Sequence, residues 1–259
     1  MQRVLDLDLD AFVFGKVHDR PSDGPRLADE EYPPWSLDQV VGFLEFDCGL
    51  TTRLPGFAVE HHGELFYRWR DAIDGGLLQA PFHVTHIDAH ADLGLGDCGY
   101  VYLLTELLAL PLDARRNPRR GEDALGDGNY LAFAIANRWI ADLAYVIGGR
   151  SEFDEQAMDY EWQPGDLLPY LFRNFDLWTR TFELPTLERR NLLDNLVNTE
   201  RLRPSALEPQ VPYSWMVCNE FRAKEPFDLV CIARSPAYTP ASADAIYNEI
   251  RGRYIEELR

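Results

Sequence analysis

Three aspartates spaced two apart near the N-terminus, in RVLDLDLDAFVF, constrain the chain more than any other segment. Strand period places Asp6, Asp8 and Asp10 on one face and Leu5, Leu7 and Leu9 on the other. The leucine face needs a core to cover it, and the carboxylates on the other face must meet water, a proton or a cation. No Lys or Arg alternates with them. Two readings stand: an edge strand with a wet acidic face, or a strand whose carboxylates hold metal.

The rest of the chain alternates strand and helix patterns. Residues 35–46 (WSLDQVVGFLEF) carry helical spacing behind an N-cap candidate, Ser36. FAVEHH reads as a strand with GELFYRWRDAI as the helix behind it, and FHVTHIDAH as a strand followed by a Gly-rich turn and the helix YLLTELLAL. Residues 113–127 form a surface loop, NYLAFAIANRWI a helix and LAYVIGG a strand. Residues 151–185 have no regular pattern. TLERRNLLDNLVNTERL is a helix, FDLVCIARS a buried strand and SADAIYNEIRGRYIEEL a closing amphipathic helix. This order predicts an α/β fold of three layers, α/β/α, around a mainly parallel sheet. The ligand site is expected at the carboxyl ends of the strands. With 259 residues and 46% hydrophobic content, one domain spanning 1–259 is the default.

HIDAHAD is the strongest chemical signal. Strand period sets His86, Asp88 and His90 on one face, and the turn returns Asp92 beside them, giving two carboxylates and imidazoles within a few residues. His61 and His62 end the FAVEHH strand, where a side chain reaches the same edge of the sheet. Each can be a ligand, a cap or a core residue. The pooled donors are mostly carboxylate oxygen with some imidazole and no thiolate, a set that suits Mn(II) or a similar hard ion better than structural zinc. Cys98 is the nearest thiol and reads as a loop residue.

The formal charge of −18 opposes nucleic-acid and anionic-membrane partners, and it fits either a cationic ligand or simple solubility. The cysteines (Cys48, Cys98, Cys218, Cys231) are widely spaced, the N-terminus lacks a signal-peptide apolar stretch, and no apolar run nears the roughly 20 residues of a membrane span. A cytoplasmic location with reduced thiols is the expectation. Sequence does not fix the oligomeric state.

DAHAD at residues 88–92, DLD within residues 6–10 and EHH at residues 60–62 resemble the metal-binding segments of the arginase and deacetylase superfamily, above all its ureohydrolase branch. The Asp-x-Asp segment comes first here and last in ureohydrolases, so the resemblance implies an arginase-like but circularly permuted chain. A closer similarity is to a small arginase-like family whose bacterial members are peptide arginases, which convert Arg to ornithine within ribosomally made precursor peptides. VLDLDLDAF, FLEFDCGL, PGFAVEHHGELFYRW, HIDAHADL and CIARSPAYTP carry it, leaving roughly residues 150–220 without a matching motif.

The resemblance implies a pair of divalent metal ions held by His62, Asp88, His90, Asp92, Asp8 and Asp10, with Asp88 and Asp8 as bridging carboxylates. Asp6 with Asp8 is the other possible pair, and Asp8 with Asp10 lies nearer the strand's end. Asp6, His86 and His61 would support the ligands. Asp92 would orient water and pass a proton. The ureohydrolase Gly-Gly-Asp-His stretch is replaced by VEHH, and the family's proton-shuttling His and guanidinium-binding Glu have no counterpart at matching positions. Glu64 is the stand-in for proton transfer, and Glu45 and Asn129 for binding substrate. The implied substrate is an arginine-containing precursor peptide, yielding ornithine and urea. The aromatic residues between Tyr160 and Trp215 would line a peptide groove or fill the core. Rival readings are a small-molecule ureohydrolase, a deacetylase with one zinc, and a non-catalytic peptide-binding protein that keeps the metal.

Overall fold

The computed structural model describes residues 1–17, 20–21, 23–94, 98–121, 123–148, 172–173, 180–195 and 201–258. Its strands are β1 (Arg3–Asp8), β2 (Leu54–Val59), β3 (Phe82–Asp88), β4 (Ile140–Ile147), β5 (Phe172–Arg173), β6 (Arg180–Phe182), β7 (Pro185–Thr186), β8 (Ala206–Leu207), β9 (Val211–Val217), β10 (Leu229–Ala233) and β11 (Ile255–Glu257). Its α-helices are α1 (Leu37–Gly42), α2 (Glu64–Asp74), α3 (Gly99–Tyr102), α4 (Tyr130–Ala136), α5 (Arg189–Asp194) and α6 (Asp244–Tyr254).

Among the described residues, nine strands form one sheet in the order β11-β2-β10-β1-β3-β4-β9-β6-β5. Every neighbouring pair from β11 to β9 is parallel, and β6 and β5 close the far edge with antiparallel pairing. The molecule is therefore α/β with a large, mostly parallel sheet. Alternate residues of each strand feed two separate cores. Val4, Phe57, Val84, Leu143 and Cys231 pack with α2 and α4 on one face. Leu5, Leu7, Ile87, Val230 and Ile232 pack with α1 and α6 on the other. Helices thus cover both faces, as sheets buried on two sides require. Each large apolar side chain taken fully into these cores contributes about 1.5–3 kcal/mol.

Local chemistry sets the helix ends. At α1 the Ser36 hydroxyl accepts from Gln39 N (3.3 Å) while the Gln39 side chain accepts from Ser36 N (2.9 Å), a reciprocal cap. Ser36→Ala will cost about 1 kcal/mol in denaturant unfolding. Metal binding will be unchanged, because α1 lies on the face remote from the cluster described below.

Two sequence expectations are corrected. The first strand ends at Asp8 rather than running through Asp10, because the Asp8 carboxylate accepts from Asp10 N (3.1 Å) and starts a 3-10 turn over Leu9–Phe12. The closing helix stops at Tyr254, and Ile255–Glu257 extends to pair with β2 as the edge strand. Residues 211–217 form β9, which joins β4 to the antiparallel edge. The helix read in TLERRNLLDNLVNTERL is described only over Arg189–Asp194, and residues 196–200 lie outside the described residues. Most of residues 151–185 also lie outside them. Of the aromatic stretch, Phe182 and Tyr213 are core residues. Among the described residues no helix is long and apolar enough to cross a membrane.

Candidate metal centre

The parallel strands β2, β10, β1 and β3 are adjacent, so their carboxyl ends meet along one edge of the sheet. Asp8 ends β1 and Asp88 ends β3. Pairing between β2 and β10 continues past both strands, with Arg234 N donating to Val59 O (3.1 Å) and Ser235 N to Glu60 O (3.0 Å). That extension carries the chain to His62, whose carbonyl accepts from Leu65 N (3.0 Å) as α2 begins. Asp10 arrives from the 3-10 turn, fixed by Ala89 N donating to its Oδ1 (3.1 Å). Asp92 follows β3 in a left-handed conformation (φ 46°), a strained backbone for a residue with a Cβ.

The result is a cluster of five aspartates and three histidines: Asp6, Asp8, Asp10, Asp88, Asp92, His62, His86 and His90. All are buried except His90, whose side chain is 21% exposed. His62 Nδ1 faces Asp8 Oδ2 (2.9 Å), Asp92 Oδ2 (2.9 Å) and Asp88 Oδ2 (3.1 Å). A second group joins Asp10, Asp88 and His90, with His90 Nδ1 at 2.9 Å from Asp10 Oδ2 and 3.6 Å from Asp88 Oδ1. Asp88 belongs to both groups and turns one oxygen to each.

One ring nitrogen can donate a single hydrogen bond and so cannot serve all three oxygens around it; Asp8 Oδ2 takes its hydrogen bond from Ser235 Oγ instead. His62 Nδ1 and Asp88 Oδ2 are in fact buried without a hydrogen-bond partner. Orphaned buried polar atoms are costly, and among the described residues a cation between these two would satisfy both at once, with the Asp8 and Asp92 oxygens in reach. The buried Asp and His groups could therefore hold a metal ion.

Electrostatics agree. Burial pushes the Asp92 carboxyl up to about 7 with Asp88 adding to it, and burial with the Asp8 and Asp88 charges raises Asp10 well above its ordinary range. Burial would raise Asp88 too, but the His62, His90 and His86 side chains beside it outweigh burial and hold this carboxyl well below the usual range. Burial would depress the histidines, yet Tyr130 and Asp6 raise His62, Asp6 and Asp88 raise His86, and Asp10 raises His90. Without a cation, the cluster balances itself by retaining protons.

The structure brings His62, Asp88, His90, Asp92, Asp8 and Asp10 together and places Asp6 and His86 against them. Asp6 faces the histidines, with His62 Nε2 at 3.1 Å and His86 Nδ1 at 3.0 Å, while Asp8 and Asp10 face the two donor groups. His61 stands aside, half-exposed, 3.6 Å from Asp127. Glu64 is half-buried at the start of α2, and among the described residues no side-chain contact ties it to the cluster. Glu45 is not near the centre: it pairs with Arg253 (2.6 Å) and Tyr254 (3.2 Å) on the α1–α6 face, because α1 covers the opposite side of the sheet. Asn129 is buried but braces its own loop, donating to Ala124 O (2.9 Å) and accepting from Gly126 N (2.9 Å). Its amide is occupied by the scaffold.

Two participants were missed in the sequence. Ser235, left-handed at φ 43°, donates from Oγ to Asp8 Oδ2 at 2.5 Å, and Tyr130 donates its hydroxyl to Asp6. A Ser before Pro at a strand end was the available signal for the first. Nothing in an apolar helix pattern distinguishes Tyr130. A scan against protein-family models and a search of curated proteins both find no match for this chain.

Proposed function

We propose that the protein is a binuclear metal-dependent hydrolase of arginase type, on a permuted arginase-like fold, that converts arginine residues of a ribosomally made precursor peptide to ornithine and urea. The observation that carries the metal reading is the buried, partnerless His62 Nδ1 ringed by oxygens of Asp8, Asp88 and Asp92. The peptide substrate rests on the sequence resemblance. His62, Asp8, Asp88 and Asp92 would hold one ion and Asp10, His90 and Asp88 the other, and oxygen-rich donors favour Mn(II). When bound, such a pair lowers the pKa of water and supplies hydroxide near neutral pH.

The chain's own residues shape the rest. Two divalent ions would cancel four of the five aspartate charges of the cluster, leaving a site that does not repel a guanidinium. Asp92 is the carboxylate we assign to orient the attacking water and carry its proton to the leaving nitrogen. The reaction adds water across the guanidinium carbon and breaks its bond to the side-chain nitrogen.

Mass spectrometry of the precursor peptide encoded beside the gene, after incubation with Mn(II)-loaded protein, tests the reading. Loss of CH2N2 per converted arginine is expected, with free arginine unchanged. Urea from free arginine alone would make the protein a small-molecule ureohydrolase, and no product from either would remove the arginase reading.

A pH dependence follows. The raised groups, namely His62, His86, His90, Asp10 and Asp92, bind protons more tightly folded than unfolded. Their contribution to the metal-free protein is lost as pH rises, between about 4 and about 7 for Asp92 and above about 6.5 for the histidines. Asp6 and Asp88, held low, contribute above pH about 4 and lose that contribution on further acidification. Mn(II) must displace the retained protons, so it binds better at higher pH. The Tm difference between Mn(II)-loaded and chelated protein will widen from pH 6 to pH 8, and a constant difference would contradict this.

A further inference from the structure

Asp6 is fully buried at the centre of β1 and is not one of the carboxylates around His62 Nδ1. Its Oδ1 lies 3.1 Å from His62 Nε2 and its Oδ2 3.0 Å from His86 Nδ1, and Oδ2 also receives the Tyr130 hydroxyl. An ionised carboxylate only accepts hydrogen bonds, so each group facing Asp6 must donate. His62 then carries hydrogen on Nε2, and Nδ1 is the ring atom turned to the space between the Asp8, Asp88 and Asp92 oxygens.

We infer that Asp6, braced by Tyr130, is a positioning residue that fixes the ring orientation and tautomer of His62 and so presents Nδ1 to the metal, with His86 held by the same carboxylate. The inference rests on the metal reading above. The fold supports it: Tyr130 opens α4, its ring centre lies 4.7 Å from that of His62 and 5.7 Å from that of Trp69, both pairs tilted, and the hydroxyl oxygen sits 3.0 Å from His62 Nε2. One helix residue thereby touches both Asp6 and the histidine that Asp6 orients. Outer partners of this kind commonly hold about 10–100-fold of a site's metal affinity.

Zn2+ serves as a diamagnetic probe. In Zn2+-loaded, 15N-histidine-labelled wild type, His62 should show a metal-bound Nδ1 and a protonated Nε2. Asp6→Asn keeps the shape but sets an amide donor against groups that already donate. It should lower Zn2+ affinity about 10–100-fold in chelator competition and alter the His62 nitrogen shifts. Tyr130→Phe, which keeps the ring packing, should shift both readouts the same way by less. Coordination of wild-type His62 through Nε2, or Asp6→Asn with unchanged affinity and unchanged His62 shifts, overturns the inference while leaving a metal enzyme intact. Failure of the wild type to bind Zn2+ or Mn(II) overturns the metal reading and this inference together.

Discussion

Asp88→Asn will abolish catalysis and lower Mn(II) affinity by more than about 100-fold, a larger loss than removing an outer partner causes. Among the described residues Asp88 stands in three of the four overlapping donor groups of the cluster, more than any other residue, offering Oδ2 beside His62 and Oδ1 beside His90. The amide keeps the acceptor that His90 N uses at 2.6 Å, so the turn after β3 stays in place. It removes one of several carboxylates crowded into a buried cluster. That carboxylate is one its histidine neighbours hold ionised, so the metal-free variant will unfold below the metal-free wild type, while stabilisation by added Mn(II) disappears. For the wild type that stabilisation is about 2.7 kcal/mol at a free metal concentration 100 times the Kd. Calorimetry with and without chelator separates this outcome from simple misfolding, in which the cooperative unfolding transition itself would be lost.

Gly148→Ala will destabilise the fold by about 3 kcal/mol, roughly 6–12 °C in Tm for a chain of this size. Gly148 follows β4, and its N–H donates to Asp88 O (2.9 Å). A Cβ there would sit 2.5 Å from Ala11 Cα and Cβ and 2.6 Å from Ala11 O. These atoms belong to the turn that delivers Asp10, so relief of the clash must move Asp10 away from the end of β3. Metal titration of the variant should show the Asp10–His90 group weakened more than the His62 group. A variant with wild-type Tm and two intact affinities would contradict the close approach.

Much of this centre was legible because period and position act together. HIDAHAD ends on a strand in a parallel sheet, so Asp88 had to reach the carboxyl edge, and the FAVEHH strand had to deliver His62 there. LDLDLD was legible in composition but not in geometry. Uninterrupted alternation reads as strand through Asp10, whereas the Asp8 carboxylate caps a turn that swings Asp10 round from a different direction. The same alternation hid the division of labour, with Asp6 turned to the histidines and Asp8 and Asp10 to the two groups. Glu45 and Asn129 show the limit of local reading. Which face α1 covers and which atoms an Asn amide meets are decided by chain segments far away, here Arg253 and the loop before α4. β9 escaped because Pro212 near its start and its aromatic content mask strand alternation, and β11 because three residues directly after a helix carry too little pattern.

In the proposed centre two metal ions share Asp88. Counting manganese per chain after loading and desalting, with electron paramagnetic resonance on the same sample, tests it most directly. Two Mn(II) per chain are expected, with the spin-coupled spectrum of a close pair. One ion per chain, a spectrum of isolated Mn(II), or no retained metal would contradict it.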